Sequence, residues 1–247
     1  MTIPPSYRVD WFPVEAPPPA TSTSASARSF SDYYPVPLID GCRLNLPLVP
    51  LPGAEMAVAL LISNQTSFHV ERHIVQRLTH MLRTIAPDAV VGIPTLGLTY
   101  ARAVAENLGL SDFVALGHSR KFWYDDALSE SAVSSTCPDQ SKRVYLDPAL
   151  LERVHGRRVV VLDDVLNTGN TMSSAIRLLQ KAQANVAAIV TVLTEGWDWY
   201  RALARIEPAM PRRVHSLGHI PLFARTESGW APLPETKAGA RPRPTPS

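Results

Sequence analysis

Four short apolar runs in the middle of the chain predict buried strands. They lie at residues 90–93, 113–116, 159–162 and 187–193. Each run is too short and too rich in β-branched residues for a free-standing helix, and turn-forming residues bound it on both sides. The runs are therefore interpreted as buried parallel strands.

Three segments near these runs show helical periodicity, and they are 67–84, 101–108 and 176–182. In the first of them an apolar residue recurs at every fourth position from Val70 to Leu82, which places these side chains on one face of a helix. Strand, helix and strand in alternation predict an α/β fold with a parallel sheet flanked by helices.

Both ends of the chain differ from the middle in composition. Residues 12–31 and 232–247 are rich in Pro, Ser, Thr and Ala, and such segments bury too little apolar surface to offset the entropy of ordering. The pattern predicts a flexible N-terminal tail over 1–34, one domain over 35–231 and a flexible C-terminal tail over 232–247.

Charge and cysteine content exclude several classes of protein. The 24 basic and 22 acidic residues are interspersed, which disfavours nucleic-acid binding. The two cysteines have neither zinc-site nor disulfide-framework spacing. A signal-peptide pattern and a long apolar span are both missing from the sequence, so we expect a cytoplasmic protein without a membrane partner.

The stretch VVVLDDVLNTGNT at 159–171 carries the clearest chemistry. Asp163 and Asp164 follow an apolar run, and ionised carboxylates are strong acceptors for sugar hydroxyls. The loop after them offers hydroxyls and backbone N–H groups at a helix start, a nest for a phosphate monoester. Its residues are Asn167, Thr168, Gly169, Asn170 and Thr171. Taken separately, the acidic pair could cap a helix and the loop could be an ordinary turn.

This stretch resembles the phosphoribosyl pyrophosphate motif of the type I phosphoribosyltransferases, and it is closest to the xanthine and adenine enzymes. The resemblance implies a parallel sheet flanked by helices, with a small hood. It also implies that Asp163 and Asp164 bind the ribose hydroxyls and that residues 167–171 bind the 5-phosphate. The Walker, dinucleotide-binding and HExxH zinc motifs are not found in the sequence.

A second stretch, VVGIPTLGLTYARAVAENLG at 90–109, resembles the pyrophosphate loop of the same family. In the family this loop is a short turn of unusual peptide geometry, and Thr95, Leu96 and Gly97 occupy it here. Many relatives carry Lys or Arg in this turn. Leu96 is a departure that removes a charge and keeps the backbone donors.

Residues 117–147 form a long connection that resembles the family's flexible catalytic loop. Arg120 and Lys121 match its Arg-Lys element, whose cations reach pyrophosphate, often across a dimer interface. The resemblance therefore implies a lid over 118–141 and a homodimer. The alternative is that Arg120 and Lys121 are an ordinary solvated basic pair.

The resemblance implies transfer of ribose 5-phosphate from phosphoribosyl pyrophosphate to a nitrogenous base, which the motifs favour as a purine, with release of pyrophosphate. Mg²⁺ is the expected cofactor, held through the substrate without a direct protein ligand. Two alternatives remain open. One is a non-catalytic sensor of phosphoribosyl pyrophosphate, and the other is a transferase for a pyrimidine or another heterocycle.

Residues that select the base are less apparent in the sequence. The segment ALLISNQTSFHV at 59–70 is similar to a stretch of xanthine phosphoribosyltransferases whose Asn faces the purine. Asn64 is the matching residue, with Gln65 beside it. The competing interpretation is that Asn64 or Thr66 caps the helix predicted over 67–84.

Overall fold

The computed structural model describes residues 9–12, 29–53, 55–132 and 142–242. Its strands, in chain order, are β1 (Asp10–Phe12), β2 (Tyr33–Pro37), β3 (Arg43–Pro50), β4 (Met56–Ala59), β5 (Ala89–Gly92), β6 (Val114–Ala115), β7 (Ser129–Ala132), β8 (Lys142–Tyr145), β9 (Arg158–Leu166), β10 (Asn185–Glu195), β11 (Val214–Ile220), β12 (Phe223–Thr226) and β13 (Gly229–Pro232). Its α-helices are α1 (Phe68–Ile85), α2 (Gly97–Asn107), α3 (Asn170–Lys181) and α4 (Asp198–Ala204).

The central sheet has the strand order β11-β10-β9-β5-β6, and all of its strands are parallel. The four predicted runs all fall in this sheet, which confirms the α/β fold. The chain moves from β5 to β6 in one direction, and from β9 through β10 to β11 in the other. The order therefore reverses between β5 and β9, and in such sheets ligands bind at the carboxyl ends of these strands.

Helices cover both faces of this sheet, as the periodicity predicts. On one face, Val70 and Ile74 of α1 and Val104 of α2 join one buried apolar cluster with Val160 and Val190. On the other face, α3 and α4 pack in a second cluster against alternate residues of the same strands. Burial on both faces explains why the strands are apolar throughout.

A second, antiparallel sheet forms a hood. Its order is β1-β3-β4-β12-β13, and β2 pairs with the opposite edge of β3. The hood joins residues from both ends of the described chain, and its apolar side belongs to the same cluster as α1 and α2. Phe223 is fully buried and Trp230 is 6% exposed, so both aromatics serve the hood core.

The predicted tails contain paired segments. Asp10–Phe12 pairs with β3, and the backbones of Phe30 and Trp230 exchange two hydrogen bonds. Near the other end, two short 3-10 helices follow β13, at Pro234–Thr236 and Ala238–Ala240. A composition rich in Pro, Ser, Thr and Ala does not exclude these pairings, because a few apolar side chains are enough to dock a short strand on an existing sheet. Residues 1–8, 13–28 and 243–247 of the predicted tails lie outside the described residues.

Strands β7 and β8 form a separate antiparallel pair, in which β7 lies within the predicted lid and β8 directly follows it. Lys181 of α3 forms an ion pair with Glu130, and the hydroxyl of Ser174 lies 2.7 Å from the carbonyl oxygen of Ser131. These two contacts hold β7 against α3. Residues 133–141 of the predicted lid lie outside the described residues. In the part of the chain that is described, no helix has the length and apolar character needed to cross a membrane.

Candidate active site

The loop between β9 and α3 has the geometry of an anion-binding helix start. Gly169 has φ +79°, and a Cβ on it would lie 2.9 Å from Cα of Trp199 in α4, so the position requires glycine. Of the side chains described, none caps α3 at Gly169. The N–H of Asn170 donates to Oγ1 of Thr168 at 3.4 Å. The next two N–H groups of the first turn are the ones suited to a phosphate.

Helix α2 begins in a similar way, directly after the turn at residues 93–97, which we call the pyrophosphate turn. Within the described chain no side chain caps this helix at Leu96. By contrast, Ser67 caps α1 by accepting a hydrogen bond from the N–H of Val70 at 3.3 Å. The two helix starts at the reversal point of the sheet are thus open, whereas the start of α1 is closed.

The two motifs meet at Gly97. A Cβ on Gly97 would lie 2.8 Å from Oδ1 of Asp163 and 2.9 Å from its Cα, so the start of α2 touches the end of β9. The N–H of Ile93 also donates to the carbonyl oxygen of Leu162 at 3.0 Å. The peptide bond between Pro94 and Thr95 is cis, in agreement with the unusual turn geometry that the resemblance implied. Residues 95–97 and 163–171 therefore share one crevice.

Asp163 and Asp164 are held close together at the mouth of this crevice. The N–H of Asp164 donates to Oδ1 of Asp163 at 2.9 Å. Burial raises the pKa of Asp163 well above its usual value, and the adjacent Asp164 raises it further. Burial also raises the pKa of Asp164, against the opposing effect of its hydrogen bonds. Both carboxyls are thus harder to ionise than a surface Asp, and a nearby cation would favour their charged forms.

Glu195, at the end of β10, is a candidate that the sequence did not indicate. It is 6% exposed. Burial raises its pKa to about 7, and a hydrogen bond with the side chain of Asn167 opposes that shift. The carbonyl oxygen of Asn167 also accepts from the N–H of Trp199 at 3.1 Å. The side chain of Glu195 in β10 and the backbone N–H of Trp199 in α4 thus hold the first residue of the phosphate loop, which we define as residues 167–171. An acidic residue that closes an apolar run was the signal available in the sequence.

A search for known families gives a match over most of this region. Residues 59–206 match the phosphoribosyl transferase domain, a span that includes the pyrophosphate turn, the acidic pair and the phosphate loop. The chain belongs to this family.

Similar proteins include adenine phosphoribosyltransferases. The enzyme of Mycobacterium tuberculosis is 33% identical over 180 residues, which are 69% of this chain and 74% of that protein. The enzyme of Roseiflexus is 27% identical over 150 residues, which are 60% of this chain and 81% of that protein.

Solved structures of the family have the same fold. The adenine phosphoribosyltransferase of Thermoanaerobacter pseudethanolicus superimposes with a TM-score of 0.56 at 16% identity, over 70% of this chain and 95% of that one. The enzyme of Giardia lamblia, in complex with 9-deazaadenine, gives a TM-score of 0.55 at 20% identity, over 70% of this chain and 93% of that one. At such identities the likeness establishes the fold.

Arg120 has a carboxylate partner in this structure, and Lys121 is exposed. The guanidinium of Arg120 forms two hydrogen bonds with Asp126, at 2.8 and 3.2 Å. Lys121 is exposed, and its backbone carbonyl accepts from the N–H of Tyr124. For the predicted contact with pyrophosphate, Arg120 therefore has to exchange the carboxylate of Asp126 for the ligand.

Asn64 and Gln65 lie beside the pyrophosphate turn. Both are exposed in a short 3-10 helix, Ser63–Gln65, and the hydroxyl of Ser63 donates to the carbonyl oxygen of Leu96 at 2.9 Å. The competing prediction that Asn64 or Thr66 caps α1 is wrong, because the cap is Ser67. The hydroxyl of Thr66 instead donates to the carbonyl oxygen of Ser63. Asn64 and Gln65 are therefore not needed by the helix start.

Proposed function

We propose that this protein transfers ribose 5-phosphate from phosphoribosyl pyrophosphate to a purine base and releases pyrophosphate. The observation that carries the proposal is the contact of Gly97 with Asp163. It brings two open helix starts and an acidic pair into one crevice, a combination of groups suited to a sugar that bears an anion at each end. The adenine phosphoribosyltransferases among the relatives support a purine as acceptor.

Each part of the crevice has a separate role in this proposal. The phosphate loop binds the 5-phosphate through the first-turn N–H groups of α3, and the pyrophosphate turn offers those of α2 to the leaving group. Asp163 and Asp164 accept hydrogen bonds from the ribose hydroxyls. They also place negative charge beside the sugar carbon as it becomes cationic in the transition state. A base nitrogen then bonds to that carbon on the face opposite the departing pyrophosphate.

The chemistry of the acidic pair fits Mg²⁺. Two adjacent carboxylates supply the hard oxygen atoms that this ion prefers. A cation nearby would lower their raised pKa values and stabilise the ionised forms. In the described ranges no cluster of three or more His, Cys, Asp or Glu could hold a metal by itself. We therefore propose that the ion arrives with the substrate. When bound, Mg²⁺ would neutralise charge on the pyrophosphate.

We also propose a homodimer in the cytoplasm, acting in purine salvage. Phe122 next to the Arg-Lys element is 93% exposed and Trp123 is 53% exposed, and exposed aromatics beside a functional segment favour contact with another protein surface. Sedimentation equilibrium tests the dimer, and a monomer at all accessible concentrations would contradict it.

One panel of reactions tests the activity. The protein is mixed with Mg²⁺ and phosphoribosyl pyrophosphate, each common purine and pyrimidine is added in turn, and pyrophosphate release is followed. We expect release with a purine and little with any pyrimidine. Release with a pyrimidine alone would replace the proposed acceptor.

The alternative is a non-catalytic sensor of phosphoribosyl pyrophosphate. One relative, a probable purine biosynthesis transcriptional regulator of Streptococcus pneumoniae, is 31% identical over 102 residues, which are 41% of this chain and 36% of that protein. Tight binding of phosphoribosyl pyrophosphate without turnover of any base in the panel would favour the sensor.

A further inference from the structure

Tyr100 of α2 is a buried tyrosine whose hydroxyl is unpaired. The side chain is fully buried, and among the described residues its hydroxyl has no hydrogen-bond partner. An unpaired polar group in the interior is destabilising, and native proteins keep few of them. A phenylalanine would fill nearly the same volume without this cost. The hydroxyl therefore calls for a role beyond packing.

This side chain packs beside the acidic pair. Tyr100 follows Gly97 by one turn of α2, and Gly97 touches the end of β9, so both lie on the same side of the helix. Val160 and Leu162 of β9 belong to the same buried cluster as Tyr100. Side chains alternate between the two faces of a strand, so Asp164 projects to this face as well.

The charge of Asp164 acts on the phenol of Tyr100. Burial raises the pKa of Tyr100, and the charges of Asp164 and Glu71 raise it further. The hydroxyl of Thr66 opposes this shift, but its own proton goes to the carbonyl oxygen of Ser63 at 2.9 Å. A phenol with a raised pKa keeps its proton, so Tyr100 can donate a hydrogen bond to a carboxylate.

Of these two carboxylates, Asp164 gains more from a donor within the protein. Glu71 lies in the first turn of α1 and is partly exposed, so water can solvate it. Asp164 is 8% exposed, and a buried carboxylate depends on hydrogen bonds to stay ionised. The proposed function needs Asp164 ionised beside the cationic sugar carbon. The unpaired hydroxyl of Tyr100 suits that state.

We propose that Tyr100 is a positioning residue that donates a hydrogen bond to the carboxylate of Asp164 once the sugar is bound. It acts through Asp164, because its buried hydroxyl is shielded from the substrate. This role rests on the proposed function, since the sugar hydroxyls and the cationic carbon are what require an ionised Asp164. The hydroxyl is thus unpaired in the free protein and paired in the complex.

Tyr100→Phe removes one oxygen atom and tests the role directly. With the purine found in the panel, we expect turnover to fall roughly tenfold, the usual size of a hydrogen bond to a charged group, and KM to change less. The melting temperature should equal or exceed that of the parent, because the lost hydroxyl was unpaired. Parent-like turnover would overturn the proposal, and so would a lower melting temperature, which would mean that the hydroxyl is already paired in the free protein.

A double-mutant cycle with Asp164→Asn separates positioning from a general structural effect. In the Asp164→Asn background the donor has lost its charged acceptor, so Tyr100→Phe should lower turnover only roughly twofold. Glu71→Gln is the control background, in which the full tenfold loss should persist. Additive losses with Asp164→Asn, or coupling to Glu71 instead, would overturn the proposal.

Thr79→Val is the matched control for the loss of a buried hydroxyl. Thr79 of α1 is 3% exposed, and within the described chain its hydroxyl is also unpaired. It lies about three turns beyond the start of the helix, and valine has nearly the same shape. This variant should keep the turnover of the parent. A similar loss in Thr79→Val and Tyr100→Phe would attribute both to a disturbed core and overturn the proposal.

The role of Tyr100 and the proposed function can fail separately. If the protein turns over no base, the same cycle is measured on the dissociation constant of phosphoribosyl pyrophosphate with Mg²⁺. Coupling between Tyr100→Phe and Asp164→Asn in that binding retains the role of Tyr100 and removes the activity. Purine turnover with additive losses retains the activity and removes the role. Additive effects on binding without turnover remove both.

Discussion

The two halves of the crevice are built in different ways. The half that we propose for the sugar and the 5-phosphate comes from one continuous segment, in which Asp163, Asp164 and the phosphate loop follow each other along β9 and α3. The half that we propose for pyrophosphate is assembled from three segments that are distant in sequence, since the turn at 93–97 contacts Ser63 on one side and His118 on the other.

This difference has a consequence for how each half can be altered. The continuous half lies in the packed core, where Gly169 touches α4 and Glu195 is buried beside Asn167. The segment after His118 carries the exposed cations Arg120 and Lys121, and Arg120 forms an ion pair with Asp126. We therefore expect substitutions in the phosphate loop to remove binding, and substitutions in the acidic pair and in the second half to lower turnover more than affinity.

The largest effect is expected from Gly169→Ala. The new Cβ would lie 2.9 Å from Cα of Trp199, so the phosphate loop or α4 has to move, and overpacking of this kind costs about 1–3 kcal/mol. Gly109→Ala is the control, because Gly109 has the same φ of +79° with nothing within 4 Å of a new Cβ. Calorimetry with ribose 5-phosphate should detect lost binding in the first variant alone. Unchanged affinity in a folded Gly169→Ala would refute the assignment of residues 167–171.

The next effect concerns the acidic pair. Asp163→Asn together with Asp164→Asn removes the charge opposite the developing cation and leaves the loop donors in place. Turnover should fall by about 10² to 10³, the usual loss for one preorganised electrostatic group, and affinity should fall less. Steady-state kinetics with the purine found in the panel measures both. Near-native turnover would mean that these carboxylates have only a structural role.

A smaller effect is expected from Arg120→Ala with Lys121→Ala, in the assembled half. The cations act on pyrophosphate as charge accumulates on it, so turnover should fall roughly tenfold or more, and ribose 5-phosphate affinity should be unchanged. The ion pair with Asp126 is exposed, so its loss should cost less than about 1 kcal/mol of stability. Arg102→Ala, which removes a comparably exposed pair with Glu106, is the control. Equal turnover in parent and double variant would exclude the catalytic-loop role.

The smallest effect on activity, but a distinct one on stability, is expected from Glu195→Gln. The pKa of this carboxyl rises from 4.5 to about 7 on folding, so the native state holds the proton more tightly than the unfolded state. The related stability is complete below about pH 4.5 and is lost as the pH rises through about 7. At pH 8 the loss is on the order of 3 kcal/mol. The variant should therefore gain thermal stability over the parent as pH rises, whereas exposed Glu152→Gln should not. Parallel melting curves for parent and Glu195→Gln from pH 5 to 8 would contradict this.

The sequence alone predicted what depends on neighbours along the chain. Apolar runs on both faces of a strand, helical periodicity from Val70 to Leu82 and the order of acidic pair, glycine and hydroxyls are local patterns. Local patterns predicted the sheet and three helices, and they also supplied the residues that we propose for the sugar and the 5-phosphate. Composition was less reliable, because it assigned Asp10–Phe12 and Phe30 to a tail, although both pair with the hood.

The tertiary structure decided what depends on contacts between distant segments. Only the packing of α2 on β9 reveals that Gly97 touches Asp163, and only the pairing of Gly117 with Tyr145 brings His118 between two carbonyl oxygens. The same holds for Glu195, whose raised pKa comes from burial that no local pattern reports. Residue type and spacing determine which functional groups the chain carries and in which order they follow each other. Long-range packing determines which of them meet and how their protons are held.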